Sequence, residues 1–265
     1  MARFAYEGGT NGLTVATVRA VTMALVLWLY CRLSGRPLKL PRATLLNLLG
    51  LGVLMAAMIY GNIGSVEFIP VGLAALTFFT YPPMIAVISI TFAGERVSPL
   101  KLAAVAIAFL GLALMLGVSL QVVDPRGVAL ALLAAVATAW NAVWLARRAG
   151  HVDPFVLTCH LSWVAALILL AVALGAGQIA WPVTAGGWAG LVGVVALQGS
   201  AMPIYFLALG RIGALKSGVI TNLQPVVSIS AAYLLFGEVL TPLQFGGGAL
   251  VLGGILLMQW AGRRD

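Results

Sequence analysis

Nine apolar stretches of about 20 residues each, separated by charged residues or by glycine and proline, limit what this chain can fold into. A helix rises about 1.5 Å per residue, so roughly 20 residues cross a bilayer core about 30 Å thick. Only 8% of the 265 residues are charged and 62% are apolar, a composition that excludes a soluble enzyme, a disordered chain and a disulfide scaffold. The sequence therefore predicts an all-α polytopic membrane protein with about nine transmembrane helices, at 13–33, 43–62, 70–93, 98–118, 127–146, 155–175, 187–209, 213–236 and 242–261.

Lysine and arginine are distributed unevenly among the loops between these spans. Twelve of them follow odd-numbered spans, whereas only Arg3 and Arg126 lie on the opposite side. Because cytoplasmic loops carry the excess of Lys and Arg, the C-terminus is predicted to be cytoplasmic and residue 1 external. The net charge of +8 does not indicate a nucleic-acid partner, since such proteins cluster their cations on one exposed face.

The chain repeats itself at a spacing of 143 residues. The segment GERVSPL at 94–100 aligns with GEVLTPL at 237–243, and Pro82 aligns with Pro225. In the predicted topology, the first copy of this segment lies in a cytoplasmic loop and the second in an external one. Duplicated units that face opposite ways form an inverted repeat, which is the arrangement of many secondary transporters.

These features resemble the EamA-type members of the drug/metabolite transporter superfamily. The likeness is carried by the Glu-x-x-(Ser/Thr)-Pro-Leu turn in both halves and by the mid-span proline before each turn. The arginine of TVATVRAVTMAL and the segment YFLALGRIGALKSGVITNLQPVVSI add to it. The resemblance implies a carrier of small metabolites in the bacterial cytoplasmic (inner) membrane, built from two inverted repeats of five helices each.

Set against that pattern, the first repeat has four predicted helices and the second has five. The predicted organisation is an external polar N-terminus at 1–12, a first repeat at 13–118, an external linker at 119–126 and a second repeat at 127–262. The resemblance implies one more helix ahead of the first repeat. A start site placed too far downstream and a true truncation both remain open at this point.

Two prolines near the middle of their spans predict a central cavity. Pro82 and Pro225 each remove a backbone donor and free a carbonyl about one turn earlier. In lipid, such groups are tolerated where they line a cavity or contact other helices. Because the repeat pairs the two prolines, we favour the cavity over an ordinary kink between packed helices.

Polar residues on the span 213–236 extend this prediction. They recur at spacings of four, three and four residues and therefore share one helix face; they are Ser217, Thr221, Gln224 and Ser228, with Asn222 beside them. Hydrogen bonding between helices is the alternative explanation of such a stripe. The facing wall on span 70–93 includes Thr77 and Tyr81 and is largely apolar, which suits an amphipathic substrate such as an amino acid or an aromatic metabolite.

Four further residues are candidates for the cavity because of their depth in the membrane. Arg19 is a permanent charge about 10 Å into its span at 1.5 Å per residue, where it serves either as a counter-ion for an anionic substrate or as an anchor that reaches out of the lipid. His160 lies at a matching depth and is a further cavity candidate, although a structural histidine is the simpler interpretation. Tyr60 and Tyr205 either line the cavity or pack between helices.

The carboxylates carry no intramembrane chemistry in this prediction. All of them fall in loops or at span ends, with Glu95 and Glu238 in equivalent helix-end turns that act as gates or are simply solvated. The sequence predicts no catalytic residue, metal or cofactor. Its predicted partners are a small-molecule substrate and the lipid bilayer, with a homodimer left open.

The favoured function is therefore transport of a small metabolite, most plausibly export, by rocking of the two repeats around a site at the membrane midplane. Two alternatives belong to other classes. One is a truncated, non-transporting protein that only associates with other membrane proteins. The other is a membrane-embedded enzyme, which is disfavoured because the chain lacks the clustered His, Asp, Glu or Cys that such chemistry needs.

Overall fold

The computed structural model describes residues 2–117, 124–148, 153–227, 230 and 241–263. In these residues all regular structure is helical, apart from one 3-10 turn at Ser65–Glu67, which agrees with the all-α prediction for the described part of the chain. The helices are α1 Ala2–Glu7, α2 Gly12–Leu33, α3 Arg42–Gly64, α4 Val71–Phe78, α5 Tyr81–Thr91, α6 Pro99–Leu116, α7 Pro125–Arg148, α8 Pro154–Gly175, α9 Ala185–Ile212, α10 Ala214–Thr221 and α11 Pro242–Ala261. Residues 223–227 are also helical.

Prolines and side-chain caps explain where several of these helices begin. Four helices, α6, α7, α8 and α11, start on a proline, which lacks the amide hydrogen that a first-turn residue leaves unused anyway. The Asp153 carboxylate caps α8 by accepting from the backbone amides of Phe155 and Val156 at 2.9 and 3.3 Å. The side chain of Thr241 forms a reciprocal capping box with Gln244 at the start of α11.

The helices agree closely with the predicted spans, but the count of nine stays a prediction. Seven segments within the described residues are long and apolar enough to cross a membrane, one of them being Val71–Thr91, which contains both α4 and α5. The apolar part of α9, Ala185–Leu197, is shorter. The predicted span 213–236 lies only partly within the described residues.

One of the close helix contacts in the described structure joins α6 to α11. A Cβ on Gly111 would lie 2.6 Å from the carbonyl oxygen of Gly247, and a Cβ on Gly254 would lie 2.9 Å from the carbonyl oxygen of Ala104. Residue numbers fall along α6 as they rise along α11, so the two helices are antiparallel. They also align with one another at the 143-residue spacing, since Pro99 and Pro242 begin them.

A second antiparallel pair, α2 and α8, is tied at both ends. At one end, the side-chain amide of Asn11 donates to the carbonyl of Gln178 over 2.8 Å. At the other end, the Arg36 guanidinium forms an ion pair with Asp153 and lies over the ring of Phe155, 4.7 Å from its centroid. These polar contacts hold two neighbouring helices in a fixed antiparallel register.

Residues 6–14, which we call the N-terminal clamp, close the end of the bundle where α3 and α8 terminate. The Tyr6 hydroxyl donates to the carbonyl of Ile63 over 2.7 Å, and the backbone amide of Gly12 donates to the Glu67 carboxylate. The Thr10 hydroxyl donates to the carbonyl of Ala180 over 2.6 Å. Burial raises the pKa of Tyr6, and the negative charge of Glu67 raises it further. The N-terminal segment predicted to be external and polar is thus partly helical and packed against other elements; its side of the membrane stays a prediction.

The close approach of α6 and α11 predicts a sharp difference between two neighbouring glycines. We expect Gly247→Ala to destabilise the protein by about 1–3 kcal/mol, because the added methyl group overpacks the interface; a Cβ there would lie 2.6 Å from the carbonyl oxygen of Gly111 and from the amide nitrogen of Met115. Thermal unfolding in detergent measures the change. Gly246→Ala is the matched control, since nothing lies within 4 Å of its Cβ position. Equal effects of the two substitutions would contradict the packing described here.

Candidate functional site

Two helices are interrupted at equivalent places, and each interruption lies just before a proline identified from the sequence. In the first half α4 ends at Phe78 and α5 begins at Tyr81; in the second, α10 ends at Thr221 and helical structure resumes at residue 223. The helices α4 and α10 are both eight residues long and are 143 residues apart at both their first and their last residue. Pro82 cannot donate to the carbonyl of Phe78, nor Pro225 to that of Thr221, so both breaks leave a carbonyl without its helical donor.

The two interruptions come into contact. The Tyr81 hydroxyl is hydrogen-bonded to the Thr221 hydroxyl. A Cβ on Gly218 would lie 2.8 Å from Cδ1 of Ile85 and 3.6 Å from Cβ of Pro82, so the backbone of α10 lies directly against α5. The structure thus places Tyr81, Pro82 and Thr221 in one cluster.

Several polar side chains are buried without a hydrogen-bond partner among the described residues. On α10 and at its C-terminal end, the Ser217 hydroxyl oxygen and both amide atoms of Asn222 have none, and these residues are 2% and 0% exposed. On α7, Asn141 is 4% exposed and its Oδ1 is likewise unpartnered. A buried polar group without a partner costs about 1–3 kcal/mol, so these groups suit contact with a polar ligand or with water.

Arg19 is enclosed by protein. Its side chain is 5% exposed, and its Nε and Nη1 have no partner among the described residues. Thr17, two residues earlier, has its hydroxyl 3.4 Å from the carbonyl of Leu169 on α8. Since two residues correspond to about 200° around a helix, Arg19 lies on the side of α2 away from α8. Within the described structure the guanidinium does not reach the outer surface as an anchor would.

The other predicted site residues are more dispersed. Tyr60, Thr77 and Tyr205 are half-buried, and Pro225 is buried. Half-buried His160 donates from Nδ1 to the carbonyl of Val156, 2.8 Å away on its own helix. Gln224 and Glu95 are exposed. Ser228 and Glu238 lie outside the described residues.

Asn141 is a polar residue that the sequence analysis missed. The sequence contains a signal for it, because Asn141 lies three residues after Thr138 in the middle of the apolar span 127–146. Both side chains are buried in the structure. The stripe on span 213–236 gave a stronger signal, because four polar residues recur there at helical spacing. The span 127–146 has no counterpart in the predicted first repeat, so comparison of the repeats passed over it.

Two cavities open at the end of the bundle opposite the N-terminal clamp. The larger, about 460 Å³, lies between α5 and α7 and is lined by Ile88, Phe92, Ala93, Trp140, Val143, Trp144 and Arg147. The smaller cavity has a volume of about 260 Å³ and is formed by the loop 92–98 and by α6, α7 and α10, with some apolar residues in its lining. Its charged lining residues are Glu95, Arg96, Lys101, Arg147 and Lys216. The N-terminal clamp and the two cavities therefore lie at opposite ends of the described structure.

Comparison with known proteins identifies the family. The model of the EamA-like transporter family matches residues 1–117 and 125–260. The chain belongs to this family. It is therefore a member of the drug/metabolite transporter superfamily, as the paired turns and prolines had indicated.

Curated relatives of this EamA protein are named as transporters. The threonine/homoserine exporter RhtA of Escherichia coli K12 is 30% identical over 258 residues, which cover 94% of this chain and 80% of the relative. An uncharacterized transporter of Archaeoglobus fulgidus is 24% identical over 257 residues, covering 96% and 89%. A solved structure described as "Crystal structure of protein" has a TM-score of 0.77 at 19% identity and covers 96% of this chain and 90% of its own; it shows the fold alone.

The buried guanidinium predicts an unusual stability change. We expect Arg19→Met to raise the midpoint of thermal unfolding in detergent, because the unbranched apolar methionine removes a buried charge that has no partner among the described residues. Arg211→Met, at an exposed position on α9, serves as the control and should leave the midpoint nearly unchanged. A lower midpoint for Arg19→Met would show that the guanidinium has a structural partner.

Proposed function

We propose that this EamA protein exports a small amphipathic metabolite of the amino-acid type across the bacterial cytoplasmic membrane, with its C-terminus in the cytoplasm. The observation that carries the proposal is the contact between two equivalent broken helices, Tyr81 to Thr221, beside buried polar groups that have no partner among the described residues. Discontinuous helices at the interface between repeats form the substrate sites of many secondary transporters. The name of the RhtA relatives supports an amino-acid-like substrate.

The proposed architecture is a pair of inverted repeats with about nine transmembrane helices. Two observations support it: α6 and α11, which correspond at the 143-residue spacing, pack antiparallel, and so do α2 and α8. Equivalent helices that point in opposite directions are what an inverted duplication requires. The same symmetry relates α4 to α10, whose ends lie next to the proposed site.

In this proposal, the chain works by alternating access. The N-terminal clamp closes one end through contacts such as Thr10 to Ala180 and Gly12 to Glu67. The opposite end is open through the two cavities. The cavity end carries most of the loop lysines and arginines, which supports a cytoplasmic orientation. Export then requires the clamp to release as the cavity end closes.

The proposed substrate contacts follow from the burial of the polar groups. Arg19 would pair with the carboxylate of the substrate, because a buried guanidinium lacking a partner gains most from an anionic group. Ser217 and Asn222 would provide neutral hydrogen bonds. The gating roles of Glu95 and Glu238 stay predictions from the sequence. The same holds for the remaining cavity candidates, which are Tyr60, Thr77, His160, Tyr205, Gln224, Pro225 and Ser228.

Efflux of an amino acid tests this function directly. Cells that lack their own threonine and homoserine exporters are loaded with radiolabelled homoserine, and its loss is followed with and without the protein. We expect faster efflux with the protein, and about a tenfold reduction of that gain for Asn222→Ala, which removes a buried hydrogen-bonding group. Asn47→Ala, at an exposed position on α3, is the matched control. If membrane-inserted Asn222→Ala exported as well as the parent protein, the assigned site would be wrong.

A disulfide across the N-terminal clamp should stop transport. We expect Thr10→Cys combined with Ala180→Cys to lose efflux on oxidation and to recover it with a reductant, because the clamp must open for substrate to leave. Buried Cys31 and Cys159 are first replaced by alanine so that only the new thiols react. The single variant Thr10→Cys under the same oxidant is the control. Undiminished efflux from the cross-linked protein would rule out the clamp as a gate.

A further inference from the structure

The two cavities share a wall. Val143 and Arg147 line both of them, and they lie four residues apart on α7, hence on one face of that helix. Trp140 and Trp144, on the same face, line the larger cavity. A molecule held against this face would therefore contact both cavities.

The smaller cavity has the electrostatic character of an anion site. Among the described residues, four cations line it, which are Arg96, Lys101, Arg147 and Lys216, together with the carboxylate of Glu95. They come from the loop 92–98 and from α6, α7 and α10, which the fold brings together although they are far apart in sequence. A cleft lined mainly by one sign of charge concentrates ligands of the opposite sign.

The larger cavity has an apolar and aromatic lining. The ring of Phe92 meets that of Trp140 edge to face, with 5.2 Å between their centroids, and Ile88 and Trp144 complete this side. Its volume of about 460 Å³ falls within the roughly 300–1,000 Å³ range of small-molecule sites. Such a surface accommodates an aliphatic or aromatic group.

We propose that the two cavities together form an access site that binds an amphipathic carboxylate before it reaches the broken helices. The acid group lies among the cations of the smaller cavity, next to Arg147, and the apolar group lies against Phe92 and Trp140. This inference rests on the proposed export function, because it assigns a substrate class and a first binding position to that function. The shared chemistry is an anionic head joined to an apolar body, which a soluble metabolite and an anionic lipid both have.

Binding to purified protein separates these sources without any transport step. The full chain is placed in nanodiscs of phosphatidylcholine, and equilibrium dialysis measures binding of radiolabelled 3-phenylpropionate, with unlabelled 3-phenylpropionamide as a competitor of the same shape but no charge. We expect saturable binding of the acid and negligible competition by the amide. Arg147→Gln should weaken binding about tenfold or more, as loss of a charge-assisted hydrogen bond does.

Paired variants distinguish the two parts of the site. Lys216→Gln should weaken acid binding as Arg147→Gln does, whereas Arg42→Gln, at an exposed position outside the cavities, should not. Phe92→Ala should weaken binding of 3-phenylpropionate but not that of propionate, which has no ring to place. Unchanged binding in both Arg147→Gln and Lys216→Gln would overturn the proposal.

Added phosphatidylglycerol distinguishes metabolite from lipid. Unchanged affinity for 3-phenylpropionate in nanodiscs that contain this anionic lipid supports a site for soluble carboxylates, whereas displacement of the acid by the lipid overturns it in favour of a lipid site. The proposed function fails separately: specific binding without homoserine efflux would remove the export assignment and leave the site. Homoserine efflux without binding of 3-phenylpropionate in any nanodisc would remove the access site and leave the export assignment.

Discussion

The structure depends on how closely α6 and α11 approach each other. Lipid tails are as apolar as leucine, so helices in a membrane are held together by van der Waals contact and by hydrogen bonds rather than by exclusion of water. Gly111, Gly247 and Gly254 allow backbone to meet backbone, where any side chain would lie within 3 Å of a neighbouring atom. This contact and the α2–α8 pair join the two halves of the chain.

The broken helices lower the stability of the folded state, and packing elsewhere in the fold must compensate for this loss. Each interruption removes backbone hydrogen bonds at a depth where water is scarce, and each is accompanied by buried polar side chains. Tyr81 and Thr221 satisfy one another across the break, whereas Asn222 and Ser217 have no partner in the described structure. Buried polar groups of this kind call for a functional explanation, and they are the groups around which we propose the substrate site.

Much of the fold was predictable from the sequence, since prolines, glycines or charged residues mark the boundaries of the spans. Pro99, Pro154 and Pro242 mark helix starts, and the uncharged stretch 154–210 divides where α8 ends at Gly175. The paired Pro82 and Pro225 also indicated where helical hydrogen bonds would be lost. These signals are local, so a single sequence contains them.

The rest depended on which surfaces meet, and local signals do not carry that information. The alternatives for Arg19 were a counter-ion and a lipid-facing anchor, and only the packing of α2 shows that its side chain is enclosed. Asn141 was overlooked because the predicted first repeat has no residue to compare with it. The N-terminal clamp forms through residues more than 160 positions apart, such as Thr10 and Ala180, which no pattern in the sequence connects.

The antiparallel glycine contact also has an evolutionary consequence. Gly111 and Gly254 occupy equivalent positions, but the counterpart of Gly247 is Ala104. In an ancestor made of two identical subunits, one mutation would have altered both copies of such a contact at once. In a single fused polypeptide each copy of the contact can change independently. The two ends of the protein can then differ, with cations concentrated at the cavity end and the N-terminal clamp at the other end.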